Sequence, residues 1–246
     1  MTSTLDAPSI APPALEVDGV SAGYGQTTVL REVSLVVPAG SVVALLGANG
    51  AGKTTLLRAV SGLLPVRSGT IRIAGRDVTG ERAPRRFARG LCHVPEGRGV
   101  FRGLTVRENL VLQGSARLEA ESVERAVMAF PILGERLGQQ AGTLSGGQQQ
   151  MLAMAAAYVR SPALVLVDEA SLGLAPIVVD EIFGFLQRRA AEGTALLIVD
   201  QFARRALAMA GYAYILRRGR LVHGGPAADL LNAELFDSYL GGQADS

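Results

Sequence analysis

The sequence predicts an α/β fold in which short buried strands alternate with helices around a parallel core sheet. Three observations carry this prediction. The apolar run VVALL, residues 42–46, leads through a glycine-rich loop into a segment with helical spacing of its apolar residues. A second run, residues 164–167, ends in two acids, and a third, residues 196–199, ends in Asp200. Acids at the carboxyl ends of buried strands are typical of the ligand-binding edge of such a sheet.

The loop between the first strand and its helix fits a phosphate-binding pattern. GANGAGKT, residues 47–54, matches G-x-x-x-x-G-K-[ST] without a gap and in the required strand–loop–helix context. Glycines there let backbone N–H groups turn inward around phosphate oxygens, and the helix N-terminus adds a favourable dipole. Lys53 is the only lysine among 24 basic residues, which indicates that a compact ammonium is needed at this point. The predicted ATP-binding residues of this loop are Gly47, Ala48, Asn49, Gly50, Ala51, Gly52, Lys53, Thr54 and Thr55.

A phosphate loop also needs a carboxylate on a neighbouring strand to hold Mg²⁺. The run at residues 164–167 supplies Asp168 and Glu169. We predict that the Thr54 hydroxyl and Asp168 hold Mg²⁺, with Asp168 acting through water. Glu169 is predicted to orient or deprotonate the water that attacks the terminal phosphate, with Lys53 reaching the β and γ phosphates. Taken alone, an apolar run followed by two acids is often only a strand end.

Composition limits the class of protein. With 246 residues, 48% hydrophobic and 19% charged, the chain is expected to form one large domain with a packed core. No apolar run is long enough to span a membrane, and the first 14 residues have the composition of a disordered tail rather than a secretory signal. The single cysteine, Cys92, excludes an internal disulfide, fits the cytosol and is expected to fill space in a strand. A net charge of +2 gives no indication of a nucleic-acid partner.

A second glycine-opened helix occurs in TLSGGQQQMLAMAAAYVRSP, residues 143–162. Its N-terminus consists of Ser145, Gly146, Gly147 and Gln148, where free backbone N–H groups favour an anion. One ATP does not need two such sites from one subunit. We therefore expect this segment to face a nucleotide that another subunit holds.

With these motifs in this order, the chain resembles the ATP-binding cassette (ABC) family of P-loop NTPases over about residues 15–240. The sequence LSGGQ, residues 144–148, is similar to that family's signature motif. The resemblance implies a RecA-like core, a small antiparallel β-subdomain at about residues 15–46 and an inserted helical subdomain at about 97–160, after the tail at 1–14. It also implies that two cassettes pack head to tail, each signature closing on the partner's ATP, and that Tyr24 stacks on adenine.

Three segments, VPEGRGVFRGLTVRENL, SGGQQQMLA and DEASLGLAP, resemble the second ATP-binding subunit of branched-chain amino acid importers. In that group a glutamate, here Glu96, stands where most cassettes have glutamine, in a loop that senses the γ-phosphate through Mg²⁺ or water. The resemblance implies that Glu96 belongs to the metal site, since Mg²⁺ prefers oxygen ligands, and a solvated loop acid is the alternative. Arg98 and Arg102 are expected to screen its charge or to face an acidic membrane partner.

Four positions depart from the general cassette pattern. Gln201 stands where most cassettes carry a histidine that contacts the γ-phosphate, and its amide donates a hydrogen bond but holds no proton charge. Ala156 replaces an arginine, Ala170 a proline and Ala175 an aspartate. Because Lys53, Asp168 and Glu169 are all retained, ATPase activity is expected.

The resemblance implies an ATP-hydrolysing importer subunit that lies at the cytoplasmic face of the membrane and uses ATP and Mg²⁺. The expected partners are a second cassette, more often a different one, two multi-span permease subunits and, indirectly, a solute-binding protein, but no nucleic acid. A related importer for amides, urea or other small polar solutes is one alternative. A non-transport cassette, or a module that binds ATP but barely hydrolyses it, is another.

Overall fold

The computed structural model describes residues 11–97, 99–113, 119–200 and 203–231. The first ten residues of the predicted tail, Arg98, Gln201 and the end of the chain lie outside these ranges. The described strands are β1 (Leu15–Tyr24), β2 (Thr27–Val37), β3 (Val42–Leu46), β4 (Val66–Ile73), β5 (Arg76–Asp77), β6 (Leu91–Val94), β7 (Leu164–Asp168), β8 (Ala195–Val199), β9 (Tyr212–Arg217) and β10 (Arg220–Pro226).

Eight α-helices occur in the described ranges. They are α1 (Lys53–Val60), α2 (Ala83–Ala88), α3 (Val106–Gln113), α4 (Glu119–Ala129), α5 (Pro131–Gly134), α6 (Gly146–Tyr158), α7 (Pro176–Ala191) and α8 (Ala203–Met209), with short 3-10 turns at Ala141–Thr143 and Ala227–Leu231. The structure therefore has helices where the sequence predicted them, between β6 and β7 and after the phosphate loop. No helix in the described ranges is both long and apolar enough to cross a membrane.

An antiparallel sheet of four strands has the order β2-β1-β4-β5. It differs from the predicted antiparallel part at about 15–46, because β3 belongs to the other sheet and β4 and β5 join this one. The pairing of β1 with β4, which sets Leu15 opposite Ile73, spans the phosphate loop and α1. Such a non-local pairing leaves no mark on the spacing of residues within either strand, so sequence patterns did not reveal it.

The second sheet has six strands in the order β10-β9-β3-β8-β7-β6. Its five strands from β9 to β6 are parallel, and only β10 returns antiparallel as the second arm of a hairpin. Both faces of the sheet are covered, since Ala44 and Leu46 of β3 join one hydrophobic cluster, while Val43 and Leu45 join the other. This burial on both faces explains why β3, β7 and β8 are continuous apolar runs.

A buried arginine caps the C-terminal end of α1 by donating hydrogen bonds to its last carbonyls. The Arg86 guanidinium is 1% exposed and donates to four backbone oxygens, those of Ala59, Val60, Thr79 and Glu81, at 2.7–2.9 Å. Burial lowers the pKa of this group, and the carboxylates of Glu81 and Asp77 partly offset that effect. The cation thus pairs with the carbonyl end of the helix whose other end forms the phosphate loop.

The position of Cys92 on β6 makes a prediction about thiol chemistry. Burial raises the pKa of this thiol to about 12, so very little thiolate exists near neutral pH. We expect native protein at pH 8 to react with a thiol reagent at least about 50-fold more slowly than protein unfolded in urea. Absorbance assays with a disulfide reagent measure both rates. Equal rates would contradict the expected role of Cys92 as buried filler.

Candidate functional site

The phosphate loop is wrapped closely by neighbouring backbone. β3 ends at Leu46, and α1 begins at Lys53. Gly50 and Gly52 have φ of 78° and 111°, values that residues with a side chain rarely adopt. A Cβ atom on Gly47 would lie 2.3 Å from the Leu216 carbonyl oxygen. The loop therefore follows a path that only glycine at these positions permits.

Lys53 is held inside this loop. Its side chain is 9% exposed, and Nζ donates to the carbonyl oxygens of Gly47 at 2.8 Å and Ala48 at 3.2 Å. The same nitrogen lies 4.0 Å from Glu169 Oε1. The two predicted catalytic side chains, one from α1 and one from the end of β7, thus meet across the site.

The predicted magnesium ligands Thr54 and Asp168 are in direct contact. Thr54 Oγ1 donates to Asp168 Oδ1 at 3.3 Å, although the two residues are 114 positions apart. Asp168 is 1% exposed, and burial raises the pKa of its carboxyl to about 6. The Thr54 hydrogen bond and Lys53 oppose that rise, whereas the carboxylates of Glu169 and Glu96 add to it.

These oxygen atoms fit Mg²⁺ by their chemistry. Burial and two neighbouring acids raise the pKa of this carboxyl despite the opposing charge of Lys53, and a divalent cation would supply the further positive charge that favours the ionised form. Within the described ranges, no group of three or more His, Cys, Asp or Glu residues could hold a metal by itself. Mg²⁺ usually takes one or two protein carboxylates and completes its shell with water and substrate phosphates, so Thr54 and Asp168 suffice.

Glu169 has an unusual backbone. Its φ is 45°, in the left-handed region, and its N–H donates to the Val199 carbonyl at 2.8 Å. The following loop is fixed to the end of β8, because the Ser171 N–H donates to Asp200 Oδ2 at 3.3 Å and the Ser171 hydroxyl donates to the other oxygen. A strained residue persists only where its surroundings enforce it, and such residues often occur at functional sites.

A cavity of about 550 Å³ opens above the loop. It lies within the size range of small-molecule sites. Its lining includes most of the predicted loop residues and two of the three predicted acids, whereas Asp168 does not line it. The lining residues are Val29, Asn49, Gly50, Gly52, Lys53, Thr54, Thr55, Glu96, Glu169 and Leu172. Val29 and Leu172 were not predicted, because their apolar side chains carry no chemical signature of a binding site.

The signature segment forms a capped helix start away from this cavity. Ser145 is the N-cap of α6, and its hydroxyl accepts the Gln148 N–H at 3.3 Å while Gln148 Oε1 accepts the Ser145 N–H at 3.0 Å. A Cβ on Gly147 would lie 2.9 Å from the Val178 methyl groups. None of the described lining residues of the cavity comes from residues 145–148. The geometry is compatible with a signature that faces another subunit.

Tyr24 lies at the end of β1 and is 44% exposed. Arg58 of α1 donates to its hydroxyl at 3.3 Å.

A second unpredicted contact joins the β9–β10 hairpin to the phosphate loop, where the Gly219 N–H donates to the Ala51 carbonyl at 2.9 Å. The sequence marks Gly219 only as a turn glycine, because its partner lies more than 160 residues earlier in the chain.

The raised pKa of Asp168 predicts a conflict between stability and activity. The carboxyl prefers to be protonated in the folded protein, so its contribution to stability is present below pH 3.8 and is lost as pH rises through about 6. We expect Asp168→Asn to increase the free energy of unfolding at pH 7.5, without nucleotide or metal, by about 1–3 kcal/mol while abolishing ATP hydrolysis. Urea denaturation and phosphate release measure the two effects.

The matched control is Asp18→Asn, which changes an exposed acid on β1. It should alter neither quantity. A lower free energy of unfolding for Asp168→Asn at pH 7.5 would contradict the statement that the ionised Asp168 carboxylate destabilises the fold.

Comparison with known proteins agrees with this geometry. The family model described as ABC transporter matches residues 30–172. The chain is 43% identical over 232 residues to the high-affinity branched-chain amino acid transport ATP-binding protein BraG of Pseudomonas aeruginosa, covering 93% of this chain and all of that protein. It is 36% identical to the probable branched-chain amino acid transport ATP-binding protein LivF of Archaeoglobus fulgidus, covering 92% and 98%.

Among solved structures, an ATP-binding subunit of an ABC transporter superposes with a TM-score of 0.81 at 30% identity. The superposition covers 92% of this chain and 99% of that one. Family match, sequence relatives and fold therefore agree, and the chain belongs to the ABC transporter family as an ATP-binding cassette.

Proposed function

We propose that this protein is the ATP-hydrolysing subunit of a branched-chain amino acid importer. The observation that carries the proposal is the contact of α1 with the end of β7 at the cavity, although the two elements are far apart in sequence. Lys53 lies beside Glu169, and both line the cavity. Thr54, also in the lining, donates to the buried Asp168 carboxylate. Phosphoryl transfer depends mainly on positioning and electrostatic stabilisation, and this set of groups supplies both.

Each residue has a distinct role in the proposed mechanism. The loop N–H groups and Lys53 hold the phosphates, and Tyr24 stacks on adenine. Thr54 and Asp168 hold Mg²⁺, with Glu96 at the rim, and the bound ion would neutralise charge on the phosphates. Glu169 orients the attacking water and receives its proton. Gln201 is proposed to contact the γ-phosphate, although it lies outside the described residues.

The signature helix points to a two-subunit reaction. The capping box uses the Ser145 and Gln148 N–H groups, so this helix start would offer an anion the N–H groups of Gly146 and Gly147. The segment does not line the chain's own cavity. The proposal is that it closes on ATP held by a second cassette. The isolated chain should then hydrolyse ATP slowly when that partner is a different protein.

A groove supports the proposed permease partner. It has a volume of about 540 Å³ and is lined by Cys92 and His93 of β6, Glu121 of α4, and Ala156 and Arg160 near the end of α6. β6 is the edge strand of the main sheet, and α4 and α6 belong to the helical part, so the groove lies between the two. A cytoplasmic helix of a membrane subunit is proposed to dock there, which would hold the cassette at the inner face of the membrane.

The imported solute is proposed from the relatives. BraG and LivF are named for branched-chain amino acid transport, and the similarity to BraG extends over nearly the whole chain. The described ATP site recognises nucleotide and not cargo, so a related importer for another small polar solute is the second candidate.

Copurification tests the proposal directly. The tagged chain is isolated from gently solubilised native membranes, and its partners are identified by mass spectrometry. We expect a second cassette, two multi-span proteins and an amino-acid-binding protein. Recovery with ribosomes or DNA and without a membrane partner would contradict the transport role.

Leucine uptake by proteoliposomes that contain the purified complex then tests the solute. The matched variant is Lys53→Ala, which should assemble with the same partners but support no ATP-dependent uptake. Uptake of an amide or urea in place of leucine would favour the second candidate.

A further inference from the structure

A second cleft lies between the C-terminal parts of α6 and α7 and the side of α4. It has a volume of about 410 Å³, and an adjoining hollow of about 270 Å³ shares Tyr158, Ser161, Arg189 and Glu192 with it. We call the two together the α6–α7 cleft. The larger part alone falls in the size range of small-molecule sites, and no group of the proposed ATPase mechanism lines it.

Aromatic and aliphatic groups form the wall of the α6–α7 cleft. The Phe185 ring is 1% exposed and meets the Tyr158 ring edge to face, with centroids 4.7 Å apart. Ala155 is also buried, while the Met128 side chain is 69% exposed at the rim. A short aliphatic chain would find favourable contacts here, and Met128 is flexible enough to cover it.

Within the described part of the chain, two hydrogen-bond donors of the α6–α7 cleft are buried without a partner. They are the hydroxyl of Tyr158, a residue that is 8% exposed, and Nε of Arg189. Burial raises the pKa of the Tyr158 hydroxyl, and Cys92 and Glu192 add to this rise while Arg189 opposes it, so the group stays protonated and able to donate. A buried donor without a partner lowers the stability of the folded protein, so each such donor indicates a partner that binds there.

The charge of the α6–α7 cleft indicates which partner fits. Three arginines, Arg125, Arg188 and Arg189, and one acid, Glu192, line it, and Arg125 pairs with Glu121 outside the lining. Arg189 pairs with Glu192 and lies 5.6 Å over the Phe185 ring, whereas Arg188 has no ion pair within the described part of the chain. The excess of positive charge favours an anion, and a planar guanidinium suits a carboxylate.

We propose that the α6–α7 cleft binds a small aliphatic carboxylate, with its oxygens on Tyr158 and Arg189 and its chain on Phe185. Glu192 beside them offers an acceptor for an ammonium group, so aliphatic amino acids and simple aliphatic acids share the required chemistry. If the proposed transport function holds, the imported amino acids belong to this class. Because α6 begins at the signature and α7 follows the Glu169 loop, the cleft lies at the ends of these two helices that are opposite to the signature and to that loop.

Calorimetric titration of the purified full chain tests the ligand class. The probes are leucine, 4-methylpentanoate, which lacks the ammonium, 3-methylbutylamine, which lacks the carboxylate, and inorganic phosphate. Binding of leucine alone identifies an amino acid site, and binding of 4-methylpentanoate alone or of both identifies a general aliphatic carboxylate site. Binding of neither, or equal binding of the amine or phosphate, would overturn the proposal.

Variants then locate the site. Tyr158→Phe removes only the hydroxyl, and we expect it to weaken carboxylate binding about tenfold or more. The same change should raise the melting temperature of the ligand-free protein by about 2–4 °C, because it removes an unpaired buried hydroxyl. Arg189→Lys keeps the charge but loses Nε, and should also weaken binding.

The matched control is Tyr212→Phe, which changes a partly exposed tyrosine on β9, away from the α6–α7 cleft. It should leave carboxylate affinity unchanged. Wild-type affinity in both Tyr158→Phe and Arg189→Lys would overturn the proposal. Membrane partners and ATP hydrolysis are measured separately and should be retained in Tyr158→Phe, so failure of this site and failure of the transport function are distinguishable.

Discussion

Glu169→Gln is expected to reduce steady-state ATP turnover by at least about 100-fold while changing ATP affinity by less than about threefold. A positioned general base contributes about 10²–10⁴-fold to a rate, and glutamine keeps the shape of the side chain without its basicity. The contact of 4.0 Å between Glu169 and Lys53 places the carboxylate within reach of the phosphate site. Since the Glu169 backbone N–H donates to Val199, the side chain is presented from a fixed backbone.

Two measurements separate chemistry from binding in this variant. Phosphate release gives turnover in the assembled complex, and a fluorescent nucleotide analogue gives affinity. We also expect ATP-bound dimers to accumulate, because the two cassettes separate only after hydrolysis in the proposed mechanism. Size-exclusion chromatography with ATP and Mg²⁺ would detect them.

The control for this experiment is Glu181→Gln, an exposed acid on α7. Its turnover should equal that of the wild type. Undiminished hydrolysis in Glu169→Gln would reject Glu169 as the base and direct attention to Glu96, the other carboxylate of the described cavity lining.

Gly219→Ala is expected to destabilise the protein by at least about 3 kcal/mol and to weaken nucleotide binding in whatever fraction remains folded. Gly219 has φ of 77°, and a Cβ atom there would lie 1.7 Å from the Val29 carbonyl oxygen. Its N–H bonds the Ala51 carbonyl of the phosphate loop, and its own carbonyl accepts the Arg31 N–H at 2.8 Å. A methyl group would force this junction apart, and strain of this kind reaches several kcal/mol.

Gly193→Ala separates the cost of the positive φ from the cost of the close approach to Val29. Gly193 also has a positive φ, 92°, but nothing lies within 4 Å of the position of its Cβ. Replacing it with alanine should lower the free energy of unfolding by only about 1–2 kcal/mol, the cost of placing a side chain on a left-handed backbone. Denaturant titration measures the free energy of unfolding of both variants. Equal decreases would show that the structure relieves the close approach to Val29 at no cost.

Local sequence patterns were sufficient to predict several strands and helices of this fold. β3, β7 and β8 are short apolar runs bounded by glycine or acidic residues, and the structure has strands at all three. The capped start of α6 at Ser145 was equally readable, because its glycines and the following apolar spacing are local. The phosphate loop, Asp168 at the end of β7 and Glu169 directly after it were recognised because their chemistry requires particular residue types at fixed spacing.

Contacts between distant segments were not predictable in the same way. Neither the pairing of β1 with β4 nor the contact between Gly219 and Ala51 leaves a periodic trace in either segment. Arg86 is a further example, since an arginine in APRRFA is expected at a surface and not bonded to four backbone carbonyls. Its partners belong to α1 and to the loop before α2, which only the assembled fold brings together.

The central place of β3 has a consequence for synthesis of the protein. This strand carries the phosphate loop, yet its two neighbours in the sheet are β8 and β9, which the ribosome makes about 150 residues later. Until Gly219 has emerged, the loop lacks the complete backbone from Leu216 to Gly219 that encloses it, and the flanking strand β9 is itself complete only at Arg217. Nascent chains should therefore be unable to hold nucleotide until the last part of translation, so ATP cannot assist the early steps of their folding.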